Sequence, residues 1–330
     1  MKIFITGATS SIGIYLINSL IEKGHELILL VRSKTKAIYL EHKNIQLFEG
    51  DINDLSSLNS AMHECDQVYH LAAITKVWLK DANEYFRVNV EGTNNVLLAA
   101  KSNNVKRVVI TSSAGVYGPS ENSKINEETI RKTDFFNEYE SSKALAELCC
   151  KTFFIENKLD IVIVSPTRIY GPILHGPNSS TTLLIEKYLF DNWRILPGTG
   201  KELGNYVYIE DVIKGHILAM EKGKPGNTYI LYGENCSYIH FFSILADISE
   251  IKRKMIKTPL IFQSIFANFQ LFLAHFFEVS PTIVPKWLAK GLYNWEISTE
   301  KAHHDLGYSP TSLVEGIRKT VAFLRSKKVK

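Results

Sequence analysis

Tyr139 and Lys143 stand four residues apart in Tyr139-Glu140-Ser141-Ser142-Lys143, within a stretch, Glu138–Asn157, whose pattern predicts a helix. At that spacing the two side chains share one helix face, a turn apart. An ammonium beside a phenol stabilises the phenolate and draws its pKa from about 10 towards neutrality, which would make Tyr139 a usable acid or base. The spacing alone carries little weight. A chain with 15 tyrosines meets it by chance, and Tyr39 to Lys43 is a second instance. Position separates the two. Tyr39 lies beside the second predicted strand, whereas Tyr139 opens its helix after Ser112-Ser113-Ala114-Gly115-Val116-Tyr117-Gly118, which the fifth predicted strand delivers to a sheet edge.

Short apolar runs supply the strands that must position these groups: Lys2–Thr6, Leu27–Val31, Ile45–Phe48, Gln67–Leu71, Arg107–Thr111 and Ile161–Ser165. They lack polar alternation, as strands covered on both faces do. Helical patterns alternate with them at Ser11–Lys23, Leu55–Met62, Glu84–Lys101 and Glu138–Asn157. This order predicts an α/β fold, a Rossmann-like doubly wound parallel sheet with helices on both faces. After about Pro166 the rhythm breaks. Residues 1–165 are therefore expected to form a nucleotide-binding domain. Residues 166–330 are expected to form a smaller, interleaved, mixed α/β lobe over the carboxyl ends of the strands, where ligands sit in open parallel sheets.

The first strand runs into Gly7-Ala8-Thr9-Ser10-Ser11-Ile12-Gly13, with a helix following. Backbone N–H groups at such a junction point outward, and the helix dipole favours a pyrophosphate. Gly7 permits the tight turn and Gly13 the close packing of helix on strand, while Ser10 stands where a further glycine would admit a phosphate more closely. Thr9, Ser11 and Ile12 complete the loop, and the context predicts dinucleotide binding. The second strand ends in Val31-Arg32-Ser33-Lys34 with no acidic residue for ribose hydroxyls. A guanidinium fork at Arg32 suits a 2′-phosphate, so NADP is preferred over NAD. Asp51 and Ile52 follow the third strand, where the carboxylate can accept from an adenine amino group. Leu71, Ala72 and Ala73 follow the fourth, where small residues let a ribose lie close to backbone.

Bulk properties bound the rest. The chain has 330 residues, is 45% hydrophobic and carries a net charge of +4 spread along its length, which gives no footprint for nucleic acid. Its four cysteines show no metal-ligand or disulfide spacing, and no metal is expected. The first residues lack the apolar core of a secretion signal, so a reducing, cytoplasmic setting is expected. One apolar stretch, residues 259–277, repeats Phe262, Phe266, Phe269, Leu273 and Phe276 at helical spacing. Its apolar face is expected to pack within the second lobe, where it could line a substrate pocket. Contact with a membrane through 259–277 is the lesser alternative.

TGATSSIG, GDI, HLAA, NVEGTNNVLLAA, TSSAGVYG, YESSKALAE, SPTRIYGP and NYVYIEDV occur in a familiar order and spacing. In them the chain resembles an extended short-chain dehydrogenase/reductase, also called the NAD-dependent epimerase/dehydratase family. The likeness runs from residue 2 to about 235 and resumes at ISTEKAHHDLGYSPTSLVEGI. It implies that Ser113 hydrogen-bonds the reacting oxygen, that Tyr139 moves the proton, and that Lys143 tunes Tyr139 and holds the nicotinamide ribose. Pro166 to Ile169 resemble the segment that meets the carboxamide, and Arg168 within it is placed to meet a substrate anion. Asn89 matches a recurrent helix asparagine, read as structural. The resemblance also implies a homodimer formed through helices 84–101 and 138–157.

Departures from the family pattern narrow the reaction. Sugar dehydratases carry an Asp-Glu pair where this chain has Ala114 and Gly115, so water elimination lacks its base. Nucleotide-sugar epimerases carry a pyrophosphate-gripping arginine near Asn205, and Lys201 replaces it only as a point charge. The stretch from His70 through Trp78 and Asp81 to Asn89, together with YILYGENCS, resembles the dihydroflavonol-reductase and 3β-hydroxysteroid-dehydrogenase-like branch. An NAD(P)-dependent oxidoreductase of a small, apolar carbonyl or hydroxyl compound is therefore expected. The alternative is an NAD-retaining sugar or nucleotide-sugar epimerase.

Overall fold

The computed structural model describes residues 1–329 apart from 122, 177, 197, 278–280, 282 and 283. The apolar runs of the first half become strands β1 (Lys2–Thr6), β2 (Glu26–Val31), β3 (Ile45–Glu49), β4 (Gln67–His70), β5 (Arg107–Thr111) and β6 (Ile161–Pro166). Shorter strands follow: β7 (Arg168–Tyr170), β8 (Ile195–Leu196), β9 (Leu203–Tyr208), β10 (Thr228–Leu231), β11 (Glu234–Ser237) and β12 (Ile256–Lys257). The helices are α1 (Ser11–Glu22), α2 (Leu55–Ala61), α3 (Asn83–Phe86), α4 (Gly92–Ser102), α5 (Glu138–Asn157) and α6 (Ser180–Phe190). Then come α7 (Ile209–Lys222), α8 (Tyr238–Ser249), α9 (Leu260–Phe277), α10 (Pro285–Lys290), α11 (Glu300–Leu306) and α12 (Leu313–Val329).

Seven strands form one parallel sheet in the order β10-β6-β5-β4-β1-β2-β3. The direction of strand addition reverses beside β1, which opens a crevice between the carboxyl ends of β1 and β4. Alternate side chains of β1 feed opposite cores. Ile3 and Ile5 pack with Leu16 and Ile17 of α1 and Val212 of α7, while Phe4 packs with Leu58, Val96, Leu97 and Phe153 from α2, α4 and α5. This is the doubly wound arrangement expected from runs apolar on both faces.

The sheet is completed from the second half of the chain. Tyr229–Leu231, read from sequence as an isolated strand of the smaller lobe, lies in β10 and pairs in parallel with β6. Four consecutive buried residues suit either location, and a burial pattern alone does not name the partner sheet. The lobe has its own three-stranded sheet, β11-β9-β7, packed with α6, α8 and α12 around Tyr170, Tyr188, Phe241 and Ile317.

Two further expectations need correction. The helix predicted over 84–101 is interrupted by a π turn at Arg87–Glu91. The wider turn carries buried Asn89, whose Oδ1 accepts from Ile74 N at 2.8 Å and whose Nδ2 donates to Ser142 Oγ at 2.9 Å. Asn89 thus ties the loop after β4 to α5, a common use of such bulges. In α9 the phenylalanine face does not pack inward: Phe262, Phe266, Phe269 and Phe276 are all more than half exposed. The period located a stripe correctly, but it does not tell which side the fold covers.

Candidate active site

Gly7 ends β1 with φ +72°, and a Cβ there would lie 2.7 Å from Ala72 N and Leu71 C. The turn therefore needs both the left-handed backbone and the absence of a side chain, because the β4 end passes directly against it. Gly13 is equally confined: its Cβ would sit 2.4 Å from Gly7 O. Ser10 caps α1, its Oγ accepting from Gly13 N at 3.0 Å. The Ser10 hydroxyl is thus engaged as an acceptor, with its proton left to donate. Thr9 and Ser10 are exposed at the lip, with Ser11 and Ile12 half-buried behind them. The first N–H groups of α1 have no partner within the helix, and they face the switch-point crevice. The loop fits a pyrophosphate. Gly7→Ala should cost about 1–3 kcal/mol from the backbone alone, with further loss from the clash. Thermal unfolding should show the loss, and fluorescence titration with NADPH should show weakened binding.

The rest of the cofactor track follows the crevice. Arg32 is exposed just past β2, and Lys34 N donates to Glu49 at 3.0 Å. Asp51 is exposed, its Oδ1 accepting from Asn53 N at 2.8 Å. Ile52 is buried against Gly92, whose missing side chain leaves it room. Leu71 is buried, and Ala72 and Ala73 are half-buried beside the glycine turn. Pro166 closes β6, and Ile169 lies half-buried in β7.

Ser113, Tyr139 and Lys143 are drawn together where β5 ends and α5 begins. Asn137 caps α5 by accepting from Glu140 N at 2.9 Å, which fixes the start of the helix one turn before Lys143. The Ser113 hydroxyl, which accepts from Gly115 N at 3.2 Å, lies close enough to the Tyr139 phenol to favour its ionised form. Lys143 is buried and donates to Thr111 O at 2.8 Å. Burial pulls the Lys143 pKa down to about 8, with Cys150 and Glu147 acting in the opposite direction. The phenol corrects the sequence expectation. Its pKa is raised, chiefly by burial, with Glu140 adding to the rise and the Ser113 hydroxyl opposing it. The ammonium donates to the β5 carbonyl, and burial keeps Tyr139 a protonated acid at neutral pH.

A small cleft of about 70 Å³ opens beside Ser113, walled by Ala114, Gly115, Pro166, Trp295 and Ile297, with Arg168 and Lys290 as its cations. Arg168 lies over the rings of Tyr206 and Tyr238 and donates to the Tyr238 hydroxyl at 2.9 Å; among the described residues no carboxylate pairs with it. Gly204 leaves it space, since a Cβ there would lie 2.4 Å from the guanidinium. Lys290 comes from α10 and reaches fully buried Glu140 at 2.7 Å, on the carboxylate that Arg131 also meets at 3.0 Å. A Cβ at Gly115 would lie 3.2 Å from Lys290 Nζ, so a lysine stands beside the position where the dehydratases carry an acid.

Sequence reasoning missed Lys290, Trp295 and Ile297. They lie beyond the recognisable motifs, and no spacing rule points them at Ser113. No α9 residue lines this cleft, contrary to expectation. Asn205 does, but its amide is used internally, accepting from Thr167 Oγ1 and Gly233 N at 2.8 Å each. Lys201 is exposed and does not line the cleft. His175 stacks on Tyr39, and among the described residues no group of His, Cys, Asp or Glu could hold a metal.

Sheet order, the glycine turn at the switch point and Ser113 at the cleft with Tyr139 nearby define a Rossmann-like nucleotide-binding enzyme. The profile of the NAD dependent epimerase/dehydratase family matches residues 3–231, and the chain belongs to that family. Members and homologues are NAD-dependent oxidoreductases, dehydratases and epimerases. Similar proteins include a putative dihydroflavonol 4-reductase from Synechocystis sp., 27% identical across 98% of this chain and 94% of the relative. Another is a 3 beta-hydroxysteroid dehydrogenase/Delta 5→4-isomerase from Mycobacterium tuberculosis, 27% identical across 94% of this chain and 86% of the relative. In fold, the chain matches a UDP-glucuronic acid 4-epimerase from Bacillus cereus solved with UDP-glucuronic acid and NAD. There the TM-score is 0.78 and the identity 24%, covering 99% of this chain and all of that one.

Proposed function

We propose that the protein is a reductase or dehydrogenase that interconverts a carbonyl and a hydroxyl group on a small, largely apolar substrate, with NADP preferred. The observation that carries this reading is the Tyr139 phenol held in its protonated form near Ser113, beside a cleft where Ala114 and Gly115 supply no base for elimination. The bound nicotinamide supplies or accepts the hydride. Ser113 orients the substrate oxygen, Tyr139 gives it a proton in the reductive direction, and the Lys143 ammonium supports the charge that Tyr139 leaves behind. Pro166, Trp295 and Ile297 make the apolar wall.

Arg32 supports the cofactor preference, since it is exposed past β2 with no acid at the strand end. Arg32→Ala should weaken NADPH binding about 10-fold or more while leaving NADH nearly unchanged, as loss of a charge-assisted fork would. Titration with each nucleotide measures it.

An NAD-retaining sugar or nucleotide-sugar epimerase is the second reading. It is favoured by the excess positive charge of the cleft, where Arg168 has no carboxylate partner among the described residues and Lys290 shares one with Arg131. Denaturing freshly purified protein and identifying the released nucleotide tests both. An empty protein that binds NADPH more tightly than NADH and reduces ketones supports the reductase. Stoichiometric NAD in the released fraction replaces it with the epimerase.

Exposed Leu145, Leu148 and Ile155 on α5 support pairing of two copies through α4 and α5. Four unpaired cysteines support a reducing, cytoplasmic setting.

A further inference from the structure

Helix α9 is inside out for a helix bathed in water. Its covered positions are Gln263, Ser264, Ala267, Gln270, Leu271, Leu273 and Ala274, a stripe in which five of seven side chains are polar or small. The outward face carries Ile261, Phe262, Ile265, Phe266, Phe269 and Phe272, each between 53% and 64% exposed. A patch of this kind marks an interaction site.

Charge beside the patch identifies its partner. No Asp, Glu, Lys or Arg occurs from Thr258 to Phe277, whereas Lys252-Arg253-Lys254-Met255-Ile256-Lys257 immediately before it holds four cations and no acid. Arg253 is used inside the fold, donating to Tyr188 O at 2.9 Å. Lys252, Lys254 and Lys257 are exposed, and no described carboxylate pairs with them. A second copy placed face to face on α9 would bring two such basic runs together, and the exposed apolar residues of α5 lie on a different element. No helix among the described residues is long and apolar enough to cross a membrane.

We propose that α9 lies flat in the surface of an anionic lipid bilayer, its phenylalanine face sunk among acyl chains and Lys252, Lys254 and Lys257 at the headgroups. The small, polar stripe stays against the protein. The helix that follows, α10, carries Lys290 into the cleft, so the lipid-facing patch and the candidate site belong to one continuous segment.

Flotation of the full chain with vesicles tests this. With phosphatidylcholine containing about a third phosphatidylglycerol the protein should float, and with phosphatidylcholine alone partitioning should fall about 10-fold. Phe266→Ser with Phe269→Ser should lower partitioning at least about 10-fold, while Phe266→Leu with Phe269→Leu retains it. Circular dichroism and NADPH binding establish that each variant is folded. Lys252→Glu, Lys254→Glu and Lys257→Glu together should remove the preference for anionic lipid. Wild-type protein that stays in the aqueous fraction with both vesicles overturns the proposal. So does an oligomer that the serine variant dissociates without any vesicle binding by the wild type, which would assign the face to a second copy. Equal binding to both vesicle types overturns the role of the lysines.

Discussion

Tyr139→Phe should lower turnover about a thousandfold while leaving the affinity for NADPH within about twofold, the loss typical of removing a positioned acid. The substitution deletes one oxygen. The ring still fills its place at the start of α5, whose cap is Asn137 and not Tyr139. The nucleotide is held elsewhere, at the glycine turn and along the ends of β2, β3 and β4, so binding should survive. The Ser113 hydroxyl keeps the bond from Gly115 N at 3.2 Å, which holds its backbone turn. Steady-state kinetics with the best ketone from a panel, set beside fluorescence titration, separates the two effects. If turnover falls less than about tenfold, the proton comes from another group or from water, and the assignment of Tyr139 fails. If cofactor affinity falls in parallel, the phenol is a binding residue.

What could be read from the sequence divides along the distance over which each feature is specified. Strand β1, the turn at Gly7 and the cap of α1 arise from neighbours in the chain, so an apolar run followed by a glycine loop announces them. Tyr139 and Lys143 share a helix face for the same local reason. Where their polar ends go is another matter. Lys143 turns to the Thr111 carbonyl because α5 packs beside the end of β5, and only that packing buries the phenol enough to raise its pKa.

The wall of the cleft is less legible still. Lys290 reaches Glu140 across 150 residues of chain, and its helix α10 has only six residues, too short for a periodic signal. The edge strand β10 shows the same effect, since its buried run fits either sheet. In α9 the apolar period was plain, yet the covered stripe is the one that holds the Gln, Ser and Ala residues, with two leucines, while the phenylalanines face out. Water-driven packing places large apolar groups inside a soluble fold, and a helix that breaks this rule looks ordinary until its neighbours are in place.

Lys143→Met should abolish most activity and stabilise the fold, two effects of opposite sign from one buried charge. The Lys143 pKa of about 8 lies below its usual 10.5 because the ammonium is taken out of water. Between those values the unfolded chain holds a proton that the folded chain has lost, so this group's contribution to stability rises with pH from 8 to 10.5. Below pH 8 both states are protonated, and the folded state carries the full cost of the buried charge. Methionine fills a similar volume without that cost, so the variant should gain about 1–3 kcal/mol near neutral pH. Denaturant unfolding measures the gain, which should shrink as pH rises from about 8 to 10.5. Reductive turnover depends on the same proton in the other direction. Tyr139 stays protonated to higher pH than a free phenol, so the high-pH limb belongs to Lys143, and kcat/KM for reduction should fall above about pH 8. In Lys143→Met the residual rate should be about a hundredfold or more lower and should lose that limb. A variant that is less stable at neutral pH, or a wild-type profile flat to pH 10, would show that the ammonium is fully compensated where it lies and that the proton lost at high pH belongs to neither residue.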